Sequence, residues 1–217
     1  QLLRSLRSGG RIRFDESELA GTCVSYVPTQ LQRALQQLDR VQQLKSAKAI
    51  FVGGGPMPES MVERARALQL PVVPVYGMTE TAAMVAAIPT EDFLSNPNSG
   101  AVSVGDARFQ IEESGAVRIF GSVLFSGYHG RPNLDLSDGF LTEDEGTLGA
   151  DGRLHVVGRM DRLIITGGEK VDPREVEAAL IQTGYIGAAL VLGLPHDEWG
   201  QQVVAFCTTV EDGISSS

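Results

Sequence analysis

The sequence predicts an α/β protein with a parallel sheet over residues 1–99, a β-rich, barrel-like part over 100–160 and a small α+β unit over 161–217. Three observations predict this. Up to about residue 99, helical apolar spacing alternates with short apolar runs that end in glycine. From about Gly100 the runs shorten and turn residues separate them closely. After Gly167-Gly168 a helix with clear start and stop signals sits between strand-like runs.

The spacing of Leu31, Leu35, Leu38 and Val41 predicts one amphipathic helix over Thr29 to Leu44, just after Pro28. Lys48 to Val52 reads as a strand stopped by Gly53-Gly54-Gly55. A second helix is expected from about Pro58, with Met61, Ala65 and Leu68 on one face, then a strand over Val72 to Tyr76. Strand, helix, strand points to a parallel sheet with crossover helices, whose ligands lie beyond the carboxyl ends of the strands. Both glycine-containing loops fall at such ends. Ala107 to Glu112 and Ala116 to Phe120 flank Glu113-Ser114-Gly115 as a hairpin. Further strands are expected at Arg153 to Gly158 and Arg162 to Thr166. Asp172 is the expected cap of a helix with Pro173 in its first turn, Glu175 completing a capping box, Val176, Ala179 and Leu180 facing inward and Gly184 ending it. Ile186 to Leu192 and Gln202 to Val210 read as strands of a unit that the chain leaves incomplete.

The 217 residues, 42% of them hydrophobic, suffice for a sizeable core. A formal charge of −9 argues against nucleic acid as a partner, because phosphate neutralisation needs a basic face, though not against a local nucleotide site. Apolar runs are too short to span a membrane. The chain starts at Gln1 without the design of a signal peptide, and a cytoplasmic location is expected. Cys23 and Cys207, each in an apolar run, are expected to be reduced, buried thiols.

Three segments carry candidate chemistry. Tyr76-Gly77-Met78-Thr79-Glu80-Thr81 offers a ring for a base, a hydroxyl for a phosphate oxygen and a carboxylate for Mg²⁺. A strand-to-loop turn capped by threonine accounts for it as well. Gly158-Arg159-Met160-Asp161-Arg162 precedes Gly167-Gly168-Glu169-Lys170-Val171; a hairpin with a diglycine turn explains the glycines but not the Arg-x-Asp pair. Asp138-Gly139-Phe140-Leu141-Thr142-Glu143-Asp144-Glu145-Gly146 reads as a loop. In it Asp144 is either a solvated carboxylate or the acceptor for two ribose hydroxyls.

A triglycine loop, Tyr-Gly-x-Thr-Glu, a Thr-x-Asp segment, Gly-Arg-x-Asp and Gly-Gly-Glu-x-Val-x-Pro-x-Glu-Val-Glu follow one another in a single line. That order resembles the adenylate-forming superfamily of acyl- and aryl-CoA ligases, luciferases and adenylation domains, from about Thr22 to Val210. Ser25-Tyr26-Val27-Pro28-Thr29-Gln30-Leu31 looks most like the o-succinylbenzoate–CoA ligases of menaquinone and phylloquinone synthesis. Gly193-Leu194-Pro195-His196-Asp197-Glu198-Trp199-Gly200 is similar to a run in the family's small domain.

The resemblance implies a large domain over 1–160 and the start of a lid domain over 161–217. It also implies ATP, Mg²⁺ and coenzyme A as co-substrates of a small carboxylic acid. Tyr76 would stack on adenine; Gly53, Gly54, Gly55 and Gly77 would line the acyl and nucleotide pockets. Thr79 would contact the α-phosphate and Glu80 would hold Mg²⁺, as the two catalytic residues. Asp144 and Arg159 would bind the ribose, and Asp161 would be the hinge. Gly167 and Gly168 would border the CoA tunnel, and Ser25 would contact the acid.

Two features depart from the pattern. Thr142-Glu143-Asp144 stands where the family has Thr-Gly-Asp. The phosphate loop ending in Pro-Lys-Gly and the lid lysine are missing from a chain whose lysines are Lys45, Lys48 and Lys170. The expectation is an internal fragment that forms no acyl-adenylate by itself. Another aryl- or fatty-acyl-CoA ligase, an amino-acid adenylation domain and a non-catalytic nucleotide-binding module stay open, as does self-association. A dinucleotide-binding oxidoreductase fits poorly, because Gly53-Gly54-Gly55-Pro56 is not Gly-x-Gly-x-x-Gly.

Overall fold

The structure is a computed structural model that describes residues 9–12, 18–160 and 163–210. They fall into two compact units, one of positions up to 142 together with 146–158, the other of 143–145 together with positions from 159 onward.

The first unit opens with β1 (Cys23–Tyr26), α1 (Pro28–Leu35), α2 (Leu38–Lys45), β2 (Ala49–Val52), α3 (Glu59–Ala67) and β3 (Val72–Met78). β1, β2 and β3 are parallel neighbours, as the strand–helix–strand order predicts. β4 (Ala83–Ala87) and β5 (Val102–Ser103) then extend the sheet antiparallel, with α4 (Thr90–Ser95) between them, so the order is β1-β2-β3-β4-β5 and the sheet is mixed.

The single helix expected over Thr29 to Leu44 is two. Gln37 is extended, with φ −114° and ψ 113°, and starts a new helix. The break resets the helical phase: Leu38 is left 84% exposed, while Leu31, Leu35, Val41 and Leu44 are buried. These four pack with Ile50, Val52, Met61 and Val72 under the sheet. Burial of each such side chain contributes about 1.5–3 kcal/mol. The break stabilises the fold because an unbroken stripe could not turn all four leucine and valine side chains inward.

Four strands form a second sheet in the order β6 (Arg108–Ile111), β7 (Ala116–Phe120), β8 (Phe140–Leu148), β9 (Leu154–Arg159). The predicted hairpin is β6–β7, with Gly115 at φ +88° in its turn and its N–H donating to the Glu112 carbonyl. Val117, Ile119 and Leu154 are fully buried here with Val85 and Ala86 of β4. The segment 138–146, expected as a loop, is largely strand β8. Thr142, Asp144 and Gly146 are buried, while Leu141 and Glu143 are exposed, the two-residue alternation of a half-buried strand.

In the second unit β10 (Ile164–Thr166), β11 (Glu169–Val171), α5 (Pro173–Gln182), β12 (Ile186–His196) and β13 (Gly200–Thr209) build a sheet of order β11-β10-β13-β12. β12 and β13 are longer than expected and form one continuous hairpin. Gly167 and Gly168 take φ +57° and +88° in the two-residue turn between β10 and β11, a conformation that favours glycine. Ala179, expected to face inward, is exposed, and Val176 and Leu180 are half-buried, since α5 buries only Pro173 completely.

Asp172 caps α5 by accepting from the Arg174 N–H at 2.9 Å and from its guanidinium. The expected capping box is replaced by this Asp172–Arg174 pair. Asp172→Ala is expected to lower stability by about 1 kcal/mol, read by urea unfolding near pH 7. The hydrogen bonds from Arg174 hold the Asp172 carboxyl below the usual carboxylate range. Its contribution is therefore full above the unfolded value of about 3.9 and fades as pH falls towards the lower folded value. A stability difference that stays constant from neutral pH to below about pH 3 would exclude the cap as its source.

Both cysteines are free and exposed, against expectation. Cys23 lies on edge strand β1, where Tyr26 is the buried residue, and Cys207 lies on the exposed part of β13. No helix among the described residues is long and apolar enough to cross a membrane.

Candidate functional site

In the first unit the carboxyl ends of β1, β2 and β3 meet at one edge of the sheet, where a cavity of about 330 Å³ opens. Ser25 from β1, Gly53 and Gly54 beyond β2, Gly77 and Met78 from β3 and Met84 from β4 line it. Ser25 sits within a strand and not at a helix start, because α1 begins three residues later at Pro28. A Cβ on Gly53 would lie 2.5 Å from Val75 Cγ2, so glycine there keeps the loop against β3. Gly54 takes φ +83°. Gly55 is exposed and lies outside the cavity lining.

Tyr76 is half-buried and packs against the Val117–Ile119–Leu154 cluster. Val75, Gly77 and Met78 line the cavity and Tyr76 does not. A register shift between Tyr76 and Gly77 sets Gly77 opposite Met84. Here a Cβ would fall within 2.6 Å of the Met84 Cα and closer still to the Ala83 carbonyl oxygen.

Thr79–Thr81 make one turn of 3₁₀ helix, closed by Ala82 at φ +57°. Thr81, only 2% exposed, fastens the turn: its hydroxyl accepts from the Met78 N–H at 3.0 Å and donates to the Ala83 carbonyl at 2.7 Å. The turn holds Thr79 exposed and Glu80 half-buried. The Glu80 carbonyl accepts from the Phe125 N–H at 2.8 Å, and its carboxylate Oε1 accepts from the Tyr128 hydroxyl at 2.8 Å. Sequence reasoning missed Tyr128. The pair Gly127-Tyr128, two positions after the apolar run Val123-Leu124-Phe125, is its local signal in the sequence.

In the second unit Asp144 projects from β8 with its side chain 10% exposed, and Arg159 Nη1 stands 3.8 Å from its Oδ1. Arg159 Nη2 pairs with Glu143, the residue that replaces the expected glycine. The structure thus brings Asp144 and Arg159 together and adds a second carboxylate. Gly167 and Gly168 are exposed, and the Gly167 N–H donates to the Trp199 carbonyl at 3.0 Å. That bond joins the diglycine turn to the β12–β13 turn, where His196 stacks on Trp199 with centroids 5.1 Å apart. Asp161 lies outside the described residues.

No group of three or more His, Cys, Asp or Glu able to hold a metal ion occurs among the described residues. Glu80 therefore belongs to no such group. Mg²⁺ needs none, because it keeps several waters and binds one or two carboxylates together with phosphate oxygens.

The profile of the AMP-binding enzyme family matches residues 13–129. The 2-succinylbenzoate–CoA ligase of Oceanobacillus iheyensis is 33% identical over 196 residues, covering 85% of this chain and 41% of that protein. That of Bacillus licheniformis is 34% identical over 209 residues, covering 87% of this chain and 43% of its own length. Among solved structures, o-succinylbenzoate CoA synthetase from Bacillus subtilis in complex with its acyl-adenylate intermediate superposes with a TM-score of 0.77 at 27% identity. That match covers 97% of this chain and 48% of that one. The same enzyme with ATP and a magnesium ion gives a TM-score of 0.71 at 27% identity, covering 95% of this chain and 43% of that one. The chain therefore spans less than half the length of these relatives. With more than half of its residues matched by one family profile, the chain belongs to the AMP-binding enzyme family.

Proposed function

We propose that the chain carries part of an ATP-dependent, AMP-forming acid–CoA ligase acting on 2-succinylbenzoate, in menaquinone or phylloquinone synthesis. The observation that carries the reading is the cavity at the parallel-strand ends, lined by Ser25 of the Ser-x-Val-Pro-Thr-Gln-Leu run. Relatives of 33–34% identity that are named for this acid support it.

In the first half-reaction the acid's carboxylate oxygen bonds to the α-phosphorus of ATP and pyrophosphate leaves. In the second, the CoA sulfur bonds to the acyl carbon and AMP leaves. Thr79, exposed on its turn, would donate to the α-phosphate. Glu80 would hold the Mg²⁺ that offsets phosphate charge when bound. Tyr76 would stack on adenine, and Asp144 and Arg159 would take the ribose hydroxyls. Gly53, Gly54 and Gly77 would border the bound acid and nucleotide, with Gly53 and Gly77 allowing the close backbone approach that shapes the cavity. On this reading residues 1–160 belong to the large domain, 161–217 begin the lid, Asp161 is the hinge, and Gly167 and Gly168 border the CoA path. The 217 residues alone are expected to release no pyrophosphate, lacking the phosphate loop and lid lysine.

Pyrophosphate release by the full-length protein should be faster with 2-succinylbenzoate than with benzoate. Ser25→Ala should raise KM for 2-succinylbenzoate by about 10- to 100-fold, the effect of losing one hydrogen bond to a charged group, and leave KM for ATP unchanged. Equal turnover of benzoate would leave a broader aryl-CoA ligase and remove this substrate.

A further inference from the structure

We propose that Tyr128 is a positioning residue for Glu80, holding one carboxylate oxygen so that the other faces the divalent cation that accompanies ATP. This rests on the reading of Glu80 as the metal-facing carboxylate.

Glu80 and Tyr128 are 48 positions apart, yet the segment around Tyr128 grips Glu80 twice. The Phe125 N–H fixes its backbone carbonyl and the Tyr128 hydroxyl fixes its carboxylate Oε1, each at 2.8 Å. Tyr128 is itself held. Its ring meets Phe125 edge-on at 5.0 Å between centroids, and Phe125 meets Phe140 edge-on at 5.5 Å. The Arg131 guanidinium lies 5.9 Å from the Tyr128 centroid, and the Arg131 N–H donates to the Tyr128 carbonyl at 3.0 Å. The Leu134 N–H closes the loop onto the Ser126 carbonyl, also at 3.0 Å.

A glutamate on a short turn would otherwise sample several rotamers, and ordering it would cost part of the binding free energy. A phenol that donates to Oε1 selects one of them before any ligand arrives. It also assigns the two oxygens different tasks, since an oxygen engaged by O–H is the poorer of the two for a cation. Carboxylates that ligate metals are commonly oriented by such partners, whose loss weakens metal affinity about 10- to 100-fold. The contact is specific to the tyrosine hydroxyl, because phenylalanine would keep the ring packing and lose only the O–H.

The test uses Tyr128→Phe, Glu80→Gln and the double variant in the full-length protein. Mn²⁺ binding to the protein–ATP complex is followed by its paramagnetic resonance signal, and ATP binding is also measured without divalent cation. Tyr128→Phe should raise the Mn²⁺ concentration for half-saturation about 10- to 100-fold, leave cation-free ATP binding and the thermal midpoint unchanged, and have no further effect in the Glu80→Gln background. Unchanged Mn²⁺ binding in Glu80→Gln would overturn the reading of Glu80 itself. A strong effect of Glu80→Gln with none from Tyr128→Phe would overturn the role of Tyr128 alone. An equal loss of cation-free ATP binding in Tyr128→Phe would also overturn it, because packing would then be the cause.

Discussion

Gly77→Ala is expected to destabilise the protein by about 3 kcal/mol, at the top of the range for overpacking. The clash is with backbone. The new Cβ would press on the Ala83 carbonyl and the Met84 Cα, which belong to the strand paired with β3 and cannot rotate aside. Relief requires β3 and β4 to separate at the register shift, which breaks their hydrogen bonds and loosens the Thr79–Thr81 turn between them. Gly53→Ala provides the comparison, because its closest neighbour is Val75 Cγ2, the end of a side chain that can turn. Its cost should be smaller, about 1 kcal/mol. Urea unfolding of both variants gives the ranking, and equal costs would show that β4 yields as readily as a valine methyl.

Asp144→Ala is expected to raise KM for ATP in the full-length protein by more than about a hundredfold. Two hydrogen bonds from ribose hydroxyls to an ionised acceptor contribute about 1.5–3 kcal/mol each. The 10% exposure of the Asp144 side chain keeps water from replacing them. Removing the carboxylate also leaves Arg159 to Glu143, so a general electrostatic change has to be separated from a lost ribose contact. 2′-Deoxy-ATP makes the separation. The unsubstituted protein should discriminate against it and the Asp144→Ala variant should not. Discrimination that survives the substitution would show that the ribose is read elsewhere.

The parts of this fold that were legible in sequence are those settled by near neighbours. Glu113-Ser114-Gly115 specifies its hairpin because the turn conformation belongs to Gly115 itself, and Asp172 caps its helix through a residue two positions away. The break between α1 and α2 was hidden because Gln36 and Gln37 are adequate helix formers, with neither glycine nor proline to mark the stop. The core imposes it. β4 was missed for the opposite reason: Ala83–Ala87 is alanine-rich, carries little strand preference, and becomes a strand by pairing with β3 and β5. The strand around Asp144 is hidden in the sequence because its acidic neighbours mask a two-residue alternation that pairing with β7 and β9 reveals. Among the candidate site residues, Ser25, Gly53, Gly54 and Gly77 line one cavity. Tyr128 meets Glu80 only through tertiary structure.

The chain's two cysteines, one in each unit, both have exposed thiols. They are ready-made anchor points for a fluorescent donor and acceptor. Energy transfer between dyes at Cys23 and Cys207 would convert any nucleotide-dependent movement of one unit against the other into a change of colour, followed molecule by molecule and in real time.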